Sequence, residues 1–301
     1  MMRANRHILM VAVSAILYGG IAAGGDFLID KGVSVYEISL YTIFISLVVL
    51  TPYLVLHREL LVRRALFRFY IIYGLIGAAL QLTLFSALFL GVPVAIAAML
   101  LNTQPVWTTI IGHFWLKERA GRRQLTAVGI ALVGLFILLE PWHAEHFGQV
   151  TGILFGLGGG LSLSLWVIWG RRGGMNDQHA VTITLGYLLF TGLSLLLIYP
   201  FLLLFTEDDR LVRISLSLPG NIWILLIIYV LITNLLPHLL FYTGIQKVKA
   251  VTAGMLLLME PVSAALLATL IFGEAVTAYM VVGGLLILFS NYFILDKPST
   301  P

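Results

Sequence analysis

The chain has 301 residues, 60% of them hydrophobic and only 11% charged. With a mean hydropathy of +1.00, it lacks the charge a water-soluble domain of this length needs to cover its surface. It has no cysteine, which excludes disulfides and thiolate metal sites, and its net charge of +4 is carried between apolar runs, as in a bilayer protein rather than a nucleic-acid binder.

Roughly 20 apolar residues cross the hydrocarbon of a membrane. By that measure the sequence divides into ten predicted spans: His7–Gly25, Val35–Leu56, Phe69–Leu90, Val94–Trp115, Leu125–Pro141, Val150–Gly170, Ala180–Phe205, Ile222–Ile245, Ala250–Phe272 and Ala275–Leu295. The connections "GVP" around Pro93 and "GEAVT" at Gly273 are short enough to allow only helical hairpins. The first span has a basic start and small residues, as a signal peptide does. It is expected to be retained, because the repeat described below needs it. With the N-terminus cytoplasmic, 15 of the 18 Lys and Arg fall on the inner side, and only Lys31, Arg210 and Arg213 fall outside. Positive charge is retained inside, so both termini are expected in the cytoplasm. The basic stretch "HRELLVRRALFR" from His57 predicts an amphipathic surface helix against anionic lipid.

"MLLNTQPVWTTIIGHFWLKE" from Met99 is written again as "MLLLMEPVSAALLATLIFGE" 156 residues later. The same offset pairs Tyr73 with Tyr229, Gln104 with Glu260 and Glu118 with Glu274. Each half then holds five helices, 1–148 and 149–301. Five is odd, so the second half enters the membrane inverted. The loops agree: "RAGRR" follows Glu118, whereas the uncharged "AVTAY" follows Glu274. The expected fold is all-α, with ten transmembrane helices in two inverted five-helix repeats forming one membrane domain. Inverted repeats of this kind hold substrate near the midplane between the halves.

The five-helix halves, each closing on a hairpin with "QPV…LKE" or "EPV…FGE", resemble the EamA-type members of the drug/metabolite transporter superfamily. Within it the ten-span pattern is most similar to the YddG-type bacterial amino-acid exporters. The second half fits the motif closely. The first carries Gln104 and Lys117 at the corresponding places, a looser fit. The resemblance implies export of small metabolites, often amino acids or toxic analogues, across a bacterial inner membrane, with no cofactor and no ATP-binding subunit. The chain itself has no P-loop. An intramembrane enzyme is the rival from another class, but there is no G-x-S-x-G elbow and no H-E-x-x-H pair. A transporter of some other drug or metabolite class remains the nearer alternative.

Polar groups at membrane depth are costly unless they find partners, so each is a functional candidate. Glu260 is the one carboxylate well inside a span. Two readings stand: it binds a substrate ammonium or carries a coupling proton, or it satisfies a helix that Pro261 has loosened. Gln104, its counterpart, reads as structural. Asn234 and His238 share a helix face with Tyr242 close by, and the inverted counterpart of that span contributes Gln81. Tyr18 and Trp166 sit mid-span, each four residues after a serine, and read as walls of a cavity, while Trp107, Trp115 and Trp142 read as packing or interface residues. Asn102, one turn from Gln104, completes the candidate binding set. Glycines at 74, 129, 134, 254, 283 and 284 are expected at close helix contacts, and the pairs at 19–20 and 24–25 as bending points.

Overall fold

The computed structural model describes residues 2–118, 120–143, 149–204, 208–273 and 275–295. Glu274 and the predicted end of the seventh span at Phe205 lie outside them. Among the described residues the regular structure is helical, with no strand. The first part of the chain forms α1 (Met2–Tyr18), α2 (Gly20–Asp30), α3 (Val35–Leu56), α4 (Phe67–Phe89), α5 (Val94–Leu101), α6 (Gln104–Trp115) and α7 (Arg122–Leu139). There follow α8 (Val150–Met175), α9 (Ala180–Leu202), the short α10 (Asp209–Val212), α11 (Gly220–Val230), α12 (Leu236–Ile245), α13 (Ala250–Leu257), α14 (Met259–Phe272) and α15 (Ala278–Leu295). Eight stretches among the described residues are long and apolar enough to cross a membrane. Two expected spans fall short of that measure: Val94–Trp115 is interrupted after Leu101, and the last apolar helix is shorter, Ala278–Ile294. The chain is a multi-pass, all-helical membrane protein.

Three of the interruptions have one cause. Proline has no N–H to give the carbonyl four residues earlier, and its ring crowds that carbonyl. Pro105 releases the carbonyl of Leu101, where α5 ends; Pro261 releases that of Leu257, where α13 ends. Pro237 releases that of Thr233, and residues Leu231–Leu235 there widen into a π-turn between α11 and α12. The break at Gly19 has another origin. A Cβ there would stand 1.9 Å from Ser263 Oγ and 2.8 Å from the Glu260 carbonyl oxygen, so only glycine lets α14 come this close.

Hydrogen bonds between connecting segments sort into two sets at opposite ends of the bundle. At one end Thr182 Oγ1 donates to Leu60 O at 2.8 Å, Gln246 Nε2 to Gln178 O at 3.1 Å, and His7 Nδ1 meets Thr243 O at 3.1 Å. At the other, Ser34 Oγ donates to Arg213 O at 2.6 Å and the Thr277 hydroxyl to the Glu140 carboxylate. Between the ends, α4 packs against α8 and α9, α1 against α12, and α7 along α15. Glycine makes the last contact possible: a Cβ on Gly283 would lie 2.5 Å from Gly134 O. Two glycines expected at such contacts are not there. Gly129 faces open space, and Gly284 has only ordinary contact, 3.6 Å to Val262.

The segment from His57 forms no amphipathic helix. It makes two short 3₁₀ turns, Arg58–Leu60 and Arg64–Leu66. Leu60, Val62 and Leu66 pack against the core instead, and the Thr182 bond pins Leu60 to α9. Arg58, Arg63 and Arg64 are left pointing outward.

Candidate functional site

Where α1 stops, its last residue meets rings from α8, α9 and α12. Tyr18, Trp166 and His238 form a triangle with centroids 6.3 Å (Tyr18–Trp166), 5.5 Å (Tyr18–His238) and 5.8 Å (Trp166–His238) apart. Tyr242 lies 5.7 Å from Trp166 and Phe241 stacks on it at 4.4 Å. Tyr187 stacks on His238 at 5.4 Å, and Tyr73 of α4 lies 4.9 Å from Tyr187. All are buried. Edge-to-face and offset contacts of this kind suit the ring quadrupole. The wall they make is apolar, aromatic and without fixed charge.

Part of the cluster is fully hydrogen-bonded. Tyr73 Oη donates to the Trp166 carbonyl at 2.9 Å, which spends its one proton. The 2.7 Å contact between the Tyr73 and Tyr242 hydroxyls therefore has Tyr242 as donor. His238 Nδ1 lies 2.7 Å from the carbonyl of Asn234. A carbonyl only accepts, so Nδ1 carries the proton, and in the neutral ring Nε2 presents a lone pair. Two groups are left over. The Tyr18 hydroxyl and Trp166 Nε1 are buried without a hydrogen-bond partner, a condition that costs about 1–3 kcal/mol per group.

Glu260 and Gln104, equivalent in the repeat, differ in their surroundings. Gln104 is buried, and its Nε2 donates to Thr108 Oγ1 at 2.6 Å. Thr108 Oγ1 in turn lies 3.0 Å from Ser164 Oγ. Gly254 makes room for that amide, since a Cβ there would lie 2.5 Å from Nε2. Gln104 is thus a strut between α6, α8 and α13. Glu260 is half-buried, and among the described residues no hydrogen bond or ion pair reaches its carboxylate. Its backbone packs on Gly19, next to Tyr18.

Of the residues singled out in the sequence, Tyr18, Trp166, His238 and Tyr242 come together. Asn234 contributes its carbonyl. Asn102 turns its side-chain amide back onto Ala98 O at 2.9 Å, and Gln81 accepts from Ser39 Oγ at 3.5 Å, a tie between α3 and α4. Neither touches the rings. Tyr187 and Tyr73 are in the cluster and were not singled out for it. A lone tyrosine in an apolar run carries no pattern, although Tyr73 had a signal in its pairing with Tyr229 across the repeat.

Comparison with known proteins gives the architecture a family. A solved crystal structure superposes with a TM-score of 0.78 over 96% of both chains, at 19% identity, a likeness of fold alone. The chain is 29% identical over 195 residues to an uncharacterized transporter of Archaeoglobus fulgidus, an alignment spanning 65% of this chain and 64% of that protein. It is 22% identical over 213 residues to a probable amino-acid metabolite efflux pump of Salmonella typhimurium, 69% of this chain and 70% of the relative. It is also 28% identical over 177 residues to a riboflavin transporter of Vibrio cholerae, 57% of each. The model of the EamA-like transporter family matches twice, over residues 5–140 and 150–296, and the chain belongs to that family.

Proposed function

We propose that this protein exports neutral amino acids, large apolar and aromatic ones above all, across a bacterial inner membrane by alternating access. The observation that carries the reading is the buried ring cluster. It draws Tyr18 and Tyr73 from residues 1–148 and Trp166, Tyr187, His238 and Tyr242 from residues 149–301. A wall of this kind gains on the order of 25 cal/mol per Å² of apolar side chain buried against it, and its ring faces attract an ammonium group. It suits sugars or nucleotides poorly. The Salmonella relative, a probable amino-acid metabolite efflux pump, supports the substrate class. The Vibrio relative is the reason to test a flat heteroaromatic beside it.

The two halves are, in this reading, inverted five-helix repeats with both termini cytoplasmic. The two family matches, one per half, support it. So does the proline rule, which interrupts α5/α6 and α13/α14 at residues 156 apart. The chain has no native cysteine, so single cysteines at Gly121 and Ser217 report sidedness. An impermeant reagent is expected to label only Ser217→Cys in intact cells. Labelling of Gly121→Cys from outside overturns the topology.

The transport reading is tested in proteoliposomes with a panel of amino acids and riboflavin. Saturable uptake of phenylalanine or leucine, unchanged chemically, is expected. Trp166→Ala is expected to remove most of it, whereas Trp142→Ala, at a residue 42% exposed and outside the cluster, leaves it intact. Failure of every amino acid sinks the substrate class, and uptake of riboflavin alone replaces it.

A further inference from the structure

The cluster has a polarity that its rings alone do not convey. Resting on the transport reading above, we propose that the orphaned Tyr18 hydroxyl and Trp166 indole N–H bind the substrate carboxylate while the unpartnered Glu260 carboxylate takes its ammonium group, making a two-pole site for a zwitterion. The donors come first. Tyr18 and Trp166 are 5% and 4% exposed, and Tyr18 Oη and Trp166 Nε1 are the cluster's two buried groups with no partner. Three other polar groups of the cluster are spent. Tyr73 is committed to the Trp166 carbonyl, Tyr242 to Tyr73, and His238 Nδ1 to Asn234.

Folded proteins pair the great majority of their buried polar groups. Two unpaired donors on neighbouring rings, 6.3 Å apart at their centroids, therefore point to one missing acceptor. A carboxylate has two oxygens and accepts from both at once. The opposite pole lies one residue beyond Tyr18. There the Glu260 backbone packs on Gly19, and its half-buried carboxylate has no counterion among the described residues. His238 Nε2 adds a further acceptor between the poles. Among the described residues no lysine or arginine stacks on a ring of the cluster, so an anion without a cation of its own finds donors but no opposite charge. A bare amine finds Glu260 but leaves Tyr18 and Trp166 unsatisfied. A molecule carrying both groups satisfies both poles.

The experiment is equilibrium binding of labelled phenylalanine to the purified protein in nanodiscs. The competitors are phenethylamine, which lacks the carboxylate, 3-phenylpropanoate, which lacks the ammonium, and riboflavin. Tyr18→Phe deletes one oxygen that has no partner, so the fold is expected to hold, as checked by thermal unfolding. It is expected to weaken phenylalanine and 3-phenylpropanoate about tenfold, the loss of one charge-assisted hydrogen bond, and to leave phenethylamine unchanged. Trp166→Phe acts in the same direction. Glu260→Gln gives the reciprocal pattern, weakening phenylalanine and phenethylamine but not 3-phenylpropanoate. If wild type binds phenylalanine and Tyr18→Phe weakens all three ligands alike, or none, the donors are satisfied by water or packing and the two-pole site is overturned while the transport reading stands. If wild type binds no amino acid, or only riboflavin competes, the substrate class falls and takes the site with it.

Discussion

The two ends of the bundle are each fastened by a buried carboxylate, but by different physics. At the end carrying residues 117–121, Glu118 is held by charge. Its Oε1 lies 3.1 Å from Arg171 Nε, with the two side chains 10% and 15% exposed. Its Oε2 accepts from Ala250 N at 2.7 Å at the start of α13. Arg171 spends Nη1 on the carbonyls of Ile245, at 3.0 Å, and Gln246. At the other end Glu37 is completely buried and held by backbone. Ser34 N and Ser215 N donate to its two oxygens at 2.7 and 2.6 Å. Its arginine, Arg213, stands 3.8 Å off and is 41% exposed. Both ties cross between residues 1–148 and 149–301. On the proposed cycle one must open at each end in turn, and both ties are made here. A charge pair and a pair of backbone bonds respond differently to mutation, and that difference is where the comparison can be broken.

The largest effect is expected from Arg171→Ala. It strips a buried carboxylate of its cation and two carbonyls of their donor together. Breaking a buried pair from one side costs about 3–5 kcal/mol. In detergent the variant is expected to unfold well below wild type, and the fraction that folds should label more readily at Gly121→Cys, because the tie at that end is loosened. An unfolding temperature within a degree of wild type would show that the charge at this end contributes little.

The sequence made the membrane class legible, and eight apolar stretches among the described residues are long enough to cross a bilayer, because hydropathy is a sum over many residues and tolerates local error. It flagged the loosening at Pro261, whereas the interruptions before Pro105 and Pro237 fall inside spans expected to be continuous. It marked the Gly19–Gly20 pair as a bending point, where α1 does end, but not what α1 meets there, because that contact depends on Ser263 and Glu260 from the far end of the chain. The site was legible in part for the same reason. Tyr18 and Trp166 stand out four residues after a serine, and His238 and Tyr242 through the helix face they share with Asn234. Gln81 and Asn102 stand out equally, yet spend their amides on neighbouring helices or their own turn. Which polar group is satisfied is a tertiary fact. The same holds for Glu118, which closes the repeated hairpin motif, and for Glu37, near the start of the second predicted span: neither position tells what its carboxylate meets.

Glu37→Gln is expected to have a middling effect and sharpens the contrast. The amide keeps one acceptor oxygen and turns an NH₂ toward the second backbone donor. One buried N–H, of Ser34 or of Ser215, is then left unmade, at about 1–3 kcal/mol. The loss should be insensitive to salt, since backbone bonds and not a charge pair are removed. Thermal unfolding of Glu37→Gln and Arg171→Ala in low and high salt separates the two: a strong salt dependence in Glu37→Gln would mean that Arg213, not the backbone, holds that end.

Arg213→Ala is expected to do least, although its removal deletes the formal partner of a completely buried acid. Three observations set the size. The 3.8 Å separation is long for a charge-assisted bond. The arginine is 41% exposed, so water screens it, and exposed pairs contribute about 0–1 kcal/mol. The two backbone bonds to Glu37 and the Ser34 bond to the backbone of residue 213 survive the substitution. What is lost beyond the weak pair is the guanidinium contact to the Gly32 carbonyl, a bond at the protein surface that water replaces. A shift in unfolding temperature no larger than that of a surface substitution is therefore expected. A loss equal to that of Arg171→Ala would make the two ends alike, and the distinction between a charge-held and a backbone-held closure would fall.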